Sequence, residues 1–252
     1  MSNKKIALLV PSRERIQHRL DLISSIKNTV HSLDNITLYL GIDDDDPTRE
    51  NAIELCKNNS FIKIVDIKNE HKMLNLGVLW NTCARNSTED IISMIGDDMV
   101  FMTKNWDEEI IKEFSSPLCP NDNFKMVHCY DGRWGKKIAV NLFIHRVYMD
   151  LTGYFMREEF PIDVIDIWLQ QIYLSFNRLR YRDDIHIDHR HWSYGKTIKD
   201  SVATRRNSGD NGATSVKLWS KLLPERLNEA MTISEKLNIP FKKELIDNNM
   251  MF

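Results

Sequence analysis

Two adjacent carboxylates follow an apolar stretch in the first half of the chain. Asp97 and Asp98 come directly after residues 91–95 and Gly96, and before the apolar residues 99–101. Carboxylates at the end of a buried strand are held close to the core. Mg²⁺ in proteins takes one or two such oxygens together with the phosphates of a substrate. The Gly96-Asp97-Asp98 turn therefore predicts a divalent metal site, whereas two acids in an ordinary turn would only be solvated.

A second acidic group, residues 43–46, follows the apolar run 36–42. Asp46 precedes Pro47, which suits the first position of a helix, so Asp46 is predicted to cap that helix. A carboxylate at the strand end, either Asp43 or Asp44, would accept hydrogen bonds from the N–H and O–H groups of a nucleobase or ribose. The remaining acids are predicted to be solvated.

Asp163 and Asp166 lie three residues apart in a helix predicted over residues 161–177. At about 100° per residue, its apolar residues form one face with Asp166 near the edge of that face and Asp163 well outside it. Asp166 is therefore predicted to be half-buried and to serve as a general base. Asp163 fits a charge that stabilises the start of a helix.

Several titratable side chains crowd residues 186–191. In an extended chain the side chains of His189 and His191 point to the same side, so both can approach one ion or phosphate. The segment also contains His186 and Asp188. A lone surface histidine would carry no such prediction.

The order of apolar runs explains where these side chains would meet. Helical periodicity over residues 16–30 and 73–85 separates runs that are typical of strands, at residues 6–10, 36–42, 61–67 and 91–95. Strands that alternate with helices predict a parallel sheet, in which ligands bind beyond the carboxyl ends of the strands. The acidic groups and residues 11–15 then lie at one edge of the sheet.

The second half has a different pattern. Residues 124–130 and 138–144 flank a turn and predict an antiparallel hairpin added to the sheet. A short strand is predicted at residues 184–188. The polar residues 194–214 are predicted to be mobile, and one last amphipathic helix is predicted on Val216, Trp219, Leu223 and Leu227.

Length and composition indicate one α/β domain with a C-terminal appendage. The chain has 252 residues, 42% of them hydrophobic, and a formal charge of −2, which gives no general attraction to nucleic acid or to an anionic membrane. No segment has the pattern of a signal peptide or a membrane span. The four cysteines lack metal-like spacing and are predicted to stay reduced, as in a cytoplasmic protein.

Taken in order, five stretches resemble the GT-A glycosyltransferases, especially the family 2-like group of bacteria and their phages: IALLVPSRER, GIDDDDP, NTCARNSTEDIISMIGDD, DVIDIWL and IHIDHRHW. The resemblance covers about residues 4–200. It implies an α/β fold with a Rossmann-like, mostly parallel central sheet flanked by helices. It also implies a catalytic domain over residues 1–195, with a nucleotide-sugar half up to about residue 115 and an acceptor half after it. Residues 196–252 would form a lid and a helix packed on the same domain.

The resemblance assigns roles to single residues. Gly96-Asp97-Asp98 occupies the position of the family's DxD motif, although it reads GDD here. This implies that Asp98 binds Mn²⁺ or Mg²⁺ and that Asp97 orients the sugar nucleotide. His189 or His191 matches the late histidine that completes the metal shell. The first nucleotide-binding loop is matched by Pro11 and Ser12 with Arg13 or Arg15.

The same resemblance makes Asp43 or Asp44 the base-binding acid and Asp166 the acceptor-activating base, with Asp163 as its rival. Lys196, Arg205 and Arg206 would lie on a segment that closes over the diphosphate. The implied reaction is the transfer of a sugar from a nucleoside-diphosphate sugar, a UDP-sugar by expectation, to an acceptor hydroxyl with inversion. A retaining reaction stays open.

Two other functions compete. A sugar nucleotidyltransferase would be expected to have a glycine-rich GxGxR-like loop where this chain has PSRER. A non-catalytic nucleotide- or carbohydrate-binding module would not need Asp98 and Asp166 together. The acceptor is open among a glycan, a protein, a small molecule and a hydroxymethylated base in phage DNA. Two arginine clusters would suit the phosphate backbone of DNA, at residues 178–182 and 205–206.

Overall fold

The computed structural model describes residues 4–68, 75–206 and 210–249, apart from the side chains of Arg205 and Arg206. Within these residues, eight strands form one sheet in the order β3-β2-β1-β4-β7-β6-β8-β5. Strands β5 and β7 run against the other six. The strands are β1 Ile6–Ser12, β2 Ile36–Asp43, β3 Ile62–Ile67, β4 Ile91–Met94, β5 Met99–Phe101, β6 Met126–Tyr130, β7 Leu142–His145 and β8 Leu179–His189. The predicted mostly parallel α/β fold is confirmed.

Strand β1 shows why a continuous apolar run predicts a central strand. Its first five residues are fully buried, because the two faces of the sheet pack against different cores. Ala7 and Leu9 belong to one core, and Ile6, Leu8 and Val10 belong to the other. Such burial on both faces is typical of a parallel strand with helices on either side.

Helices cover both faces of the sheet. Their bounds are α1 Ile16–Thr29, α2 Arg49–Lys57, α3 Leu76–Arg85, α4 Trp106–Glu113, α5 Val147–Thr152, α6 Ile165–Ser175, α7 Ser201–Arg206, α8 Asn211–Lys221 and α9 Leu223–Leu237. α1 and α4 pack on the core of Ile6, whereas α3, α6 and α9 pack on the core of Ala7. None of the helices in the described ranges has the length and apolar composition that crossing a bilayer requires.

The predicted hairpin of the second half is confirmed as the antiparallel pair β6 and β7, in which Met126 lies opposite Ile144. The predicted strand at residues 184–188 was too short, because β8 starts at Leu179. Its first half contains charged residues, and the buried Arg182 forms ion pairs with Glu113 on α4 and with Asp184 in the same strand. The pair with Glu113 joins separate elements, so the local pattern did not indicate a strand there.

The predicted cap at Asp46 was wrong in position. Helix α2 begins at Arg49 after Thr48, and the Asp46 carboxylate accepts hydrogen bonds from the backbone N–H and the hydroxyl of Thr48, at 2.7 and 2.8 Å. Asp46 also forms an ion pair of 2.8 Å with Arg19, and both side chains are completely buried. It therefore stabilises the turn before the helix.

The single C-terminal helix that was predicted is two helices, α8 and α9, which are separated at Leu222 just before Pro224. Proline fits the first turn of a helix but not its interior, which accounts for the break. α8 and α9 pack on the main core through Trp219, Ala230 and Ile233, all fully buried. Within residues 194–214, α7 and the start of α8 are helical, and the predicted mobility of this segment stays a prediction.

Candidate active site

A cavity of about 560 Å³ opens at the carboxyl edge of the parallel strands. The last residues of β1, β2, β3 and β4 all contribute to its wall, as expected for a ligand site in an open α/β sheet. Eleven of the predicted site residues line it: Pro11, Ser12, Arg13, Arg15, Asp43, Asp97, Asp98, Asp163, Asp166, His189 and His191. Asp44 and Lys196 do not, and the side chain of Arg205 lies outside the described part of the chain.

Asp97 is fixed by the loop that follows β1, because β1 and β4 are neighbours in the sheet. Its carboxylate accepts hydrogen bonds from Ser12 Oγ at 2.7 Å and from Arg15 Nη1 at 2.8 Å. Arg19 Nε in turn donates to Ser12 Oγ at 2.9 Å. Burial is the main influence on the pKa of Asp97 and raises it above its ordinary value, although the charge of Arg15 acts in the opposite direction.

Asp98 lies beside His189 because of the register of the sheet. Strand β5 pairs with β8 so that Met99 lies opposite His189, and this brings His189 Nε2 to 3.4 Å from Asp98 Oδ1. Burial acts to raise the pKa of Asp98. The hydrogen bond and charge of His189, together with the charge of Arg15, outweigh burial and hold this pKa well below its ordinary value. Asp98 is therefore an ionised carboxylate on the cavity wall.

His191 stands next to His189, with ring centroids 5.3 Å apart, as their spacing in an extended chain predicted. Its Nδ1 accepts a hydrogen bond from the backbone N–H of Ser193 at 3.2 Å, at the start of the single helical turn Trp192–Tyr194. His189 Nδ1 is buried without a hydrogen-bond partner in the described residues.

The described residues hold no group of three or more His, Cys, Asp or Glu side chains that is arranged to bind a metal ion alone. Mg²⁺ and related ions often take only one or two protein ligands, and substrate phosphates and water supply the rest. The carboxylate of Asp98 beside the imidazole of His189 fits a site of that incomplete kind.

Asp43 and Asp44 are separated by the structure. Asp43 is buried at the end of β2 and lines the cavity, and its carboxylate forms an ion pair of 3.0 Å with Arg13 Nη1. Arg13 also pairs with Asp45. Asp44 is exposed and lies outside the cavity. Of the two alternatives, Asp43 is therefore the one that lines the cavity, and its part in binding stays a prediction.

Asp163 and Asp166 both line the cavity, but the helical argument that separated them was wrong. α6 begins at Ile165, and Asp163 and Val164 have left-handed backbone angles, φ 45° and 56°, that a right-handed helix cannot contain. Asp166, not Asp163, is the acid in the first turn. α6 is also buried on nearly all sides, so it has no single apolar face. Asp166 is half-buried as predicted, and Asp163 is exposed.

Four residues that the sequence did not indicate contribute here, three on the cavity wall and Asp200 through its contact with Arg15. Arg133 and Trp134 come from the turn after β6, and Tyr194 comes from the helical turn after β8. Asp200 binds Arg15 Nε at 2.7 Å. The turn was identified only as a hairpin connection, although an arginine beside a tryptophan was visible in it. Lys196 does not line the cavity and forms an ion pair of 2.5 Å with Asp188, and its role at the diphosphate stays a prediction.

No protein-family model matches the sequence, and no curated protein matches it. Solved structures do match the fold. The mannosyltransferase PcManGT from Pyrobaculum calidifontis, in complex with GDP-Man and Mn²⁺, superposes with a TM-score of 0.58 at 10% identity, over 93% of this chain and 74% of that chain.

Residues 1–349 of S. aureus TarS, in complex with UDP-GlcNAc, superpose with a TM-score of 0.63 at 11% identity, over 95% of this chain and 68% of that chain. A longer S. aureus TarS structure gives a TM-score of 0.62 at 10% identity, over 93% of this chain and only 43% of that chain. Likeness at this identity shows the fold, so the predicted GT-A-like glycosyltransferase fold is confirmed.

Proposed function

We propose that this protein is a metal-dependent glycosyltransferase that moves a sugar from a nucleoside-diphosphate sugar to an acceptor hydroxyl. The observation that carries the proposal is the position of Asp98. Its ionised carboxylate lies 3.4 Å from His189, in a cavity at the carboxyl edge of a GT-A-like sheet. The solved relatives in fold bind GDP-Man with Mn²⁺ or UDP-GlcNAc, which supports a nucleotide-sugar donor and a divalent ion here.

In this proposal Asp98, with His189 or His191, holds Mn²⁺ or Mg²⁺, and the ion supplies positive charge to the diphosphate as the glycosidic bond breaks. Asp97 orients the donor and is itself held by Ser12 and Arg15. Pro11 lies beside them on the cavity wall.

Asp43 is proposed to bind the nucleobase or ribose. Its carboxylate lies at the end of β2, where an acceptor of hydrogen bonds faces the cavity. Arg13 would hold that carboxylate in place through the ion pair of 3.0 Å. A UDP-sugar is the donor we propose, with GDP-sugars as the comparison.

Asp166 is proposed as the base that takes the proton of the acceptor hydroxyl, which gives an inverting displacement at the anomeric carbon. It is half-buried and shares the cavity with Asp98. A base acts best when it is held near the reacting group, and the first turn of α6 is anchored in the core. Asp163 is the alternative base. The acceptor is proposed to be a glycan, a small molecule or a modified DNA base.

We also propose which parts of the chain bind the donor and which bind the acceptor. Residues up to about 115 would bind the nucleotide sugar, residues 116–195 would bind the acceptor, and residues 196–252 would form the lid and its helix. The enzyme is proposed to work in the cytoplasm, since all four cysteines are free thiols.

The direct test is a thermal-shift screen of UDP- and GDP-sugars with Mn²⁺, Mg²⁺ or EDTA. A ligand that binds only the folded state stabilises it by about 2.7 kcal/mol at one hundred times its Kd. We expect a rise in Tm that requires both a nucleotide sugar and the metal. A screen in which no nucleotide sugar raises the Tm with either metal would contradict the proposal.

A second assay separates the competing functions. A glycosyltransferase slowly hydrolyses a bound UDP-sugar and releases UDP, whereas a binding module releases nothing. A sugar nucleotidyltransferase instead releases pyrophosphate from a nucleoside triphosphate and a sugar phosphate.

A further inference from the structure

Among the described side chains, those of three arginines line the cavity, and they differ in how their charge is neutralised. Arg13 and Arg15 each bind two carboxylates within 3.0 Å. In the described parts of the chain, Arg133 has no carboxylate within ion-pair distance. Arg133 is therefore the arginine whose charge is available to a ligand in this cavity.

Arg133 is held by two aromatic rings. Its guanidinium carbon lies 4.0 Å from the centroid of the Tyr194 ring and 4.7 Å from that of Trp134. Trp134 Nε1 donates a hydrogen bond of 2.8 Å to the Tyr194 hydroxyl, which fixes the two rings relative to each other. A guanidinium stacked on rings keeps its N–H groups directed outward in its own plane, where they can bind two oxygens at once.

The backbone under Arg133 is fixed as well. The Asp131 side chain is fully buried, and its Oδ1 accepts hydrogen bonds from the backbone N–H groups of Arg133 at 3.2 Å and Gly135 at 2.8 Å. Gly132 has φ +84°, and a Cβ there would lie 2.6 Å from Asp188 Oδ1. The carboxylate nearest in sequence thus holds the turn and does not form an ion pair with the Arg133 side chain.

The Arg133 site adjoins the two histidines near Asp98. The Tyr194 ring, on which Arg133 stacks, lies 5.5 Å from the ring of His189 and 5.4 Å from that of His191, centroid to centroid. We propose that Arg133, held by Trp134 and Tyr194, binds a phosphate group of a substrate. The proposal rests on the proposed function, and it places an anion site on the cavity wall, which Lys196 does not line.

Two substrates could supply this phosphate: the donor, through its diphosphate, and an acceptor that carries a phosphate near the reacting hydroxyl. Binding measurements on Arg133→Ala separate them. Uridine, UDP and inorganic phosphate are the probes, all with Mg²⁺, and phosphate is titrated both into the free protein and into protein saturated with UDP. Lys136→Ala is the matched control, because Lys136 lies in the same turn, is exposed and does not line the cavity.

If the donor supplies the phosphate, Arg133→Ala weakens UDP binding on the order of tenfold, the size of a lost charged hydrogen bond, and leaves uridine binding unchanged. If the acceptor supplies it, UDP binding is unchanged, and Arg133→Ala weakens phosphate binding to the UDP-saturated protein by a similar factor. Arg133→Lys should recover part of the affinity, since it restores the charge without the planar fork.

The proposal is overturned if Arg133→Ala, with an unchanged Tm, binds UDP and phosphate as tightly as the wild type and Lys136→Ala do. It is also overturned if the wild-type protein binds phosphate in neither state and UDP no more tightly than uridine. A failure of the proposed function appears differently. In that case the wild-type protein binds no nucleotide, and phosphate binding to the free protein still depends on Arg133.

Discussion

Arg15, just after the first strand, forms two hydrogen bonds with Asp200, which lies 185 residues further along the chain. Arg15 Nε and Nη2 donate to the two oxygens of the Asp200 carboxylate at 2.7 and 3.2 Å. Arg15 Nη1 simultaneously binds Asp97 at 2.8 Å. The C-terminal segment that carries Asp200 is therefore attached to the carboxylate pair of the proposed metal site through one arginine.

Breaking this attachment should loosen the C-terminal segment. Asp200→Asn removes the charge, while an asparagine can still accept the hydrogen bond from Ala203 N that starts α7. We expect limited proteolysis to cut residues 196–214 faster in Asp200→Asn than in the wild type, and UDP with Mn²⁺ to protect the wild type. Asp210→Asn is the control, because Asp210 is exposed and its side chain caps no helix. Equal cleavage of all three proteins, with and without ligand, would count against a lid.

The choice of base is tested by two matched substitutions. Asp166→Asn should lower turnover by about 10²–10⁴-fold, because a general base contributes mainly in the transition state, and should leave the affinity for UDP nearly unchanged. Asp163→Asn should have much less effect. Both side chains line the cavity, so the pair controls for the loss of a charge there. Turnover is compared with UDP affinity for both variants, and an inactive Asp163→Asn beside a normal Asp166→Asn would exchange their roles.

A buried histidine away from the proposed metal site should make the protein less stable in acid. Burial lowers the pKa of His128 from 6.5 to about 4, and its side chain is almost inaccessible to water. The unfolded chain therefore takes up a proton near pH 6.5 before the folded one does. The contribution of His128 to the free energy of unfolding should therefore be complete above pH 6.5. It should fall by up to roughly 3 kcal/mol as the pH is lowered towards 4, and then level off.

The readout is the slope of the unfolding free energy against pH, from denaturant titrations between pH 7 and 4. His128→Asn should reduce this slope relative to the wild type. His31→Asn, at a half-exposed side chain, is the control for replacing a histidine. A wild-type slope in His128→Asn would show that His128 does not titrate as its burial requires.

The parts of the fold that were predicted correctly are those set by local pattern. The central strands were predicted from apolar runs, because most residues of a strand that is buried on both faces are apolar. The errors lie where a distant residue changes the outcome. Arg182 is buried within β8, where Glu113 on the distant helix α4 helps to neutralise its charge. Val164 has a left-handed backbone that nothing in its residue type indicates.

The site residues were predicted or missed for the same reasons. The acids at strand ends converge because parallel strands end at one edge of the sheet, which the sequence pattern already implies. Arg133 and Tyr194 reach the cavity from separate connecting segments, and Asp200 binds Arg15 on the cavity wall. Their positions depend on how those segments pack, and on contacts such as Trp134 with Tyr194, which no local pattern predicts.

The most direct measurement of the central claim is calorimetric titration of UDP into the wild-type protein and into Asp98→Ala, each with Mn²⁺ and with EDTA. Thermal unfolding of both proteins checks that the fold is intact, and Asp34→Ala, at an exposed carboxylate away from the cavity, is the control. The account predicts that Mn²⁺ tightens UDP binding to the wild type and to Asp34→Ala, and has no effect on UDP binding to folded Asp98→Ala. Equally tight, Mn²⁺-stimulated binding of UDP to Asp98→Ala would contradict it.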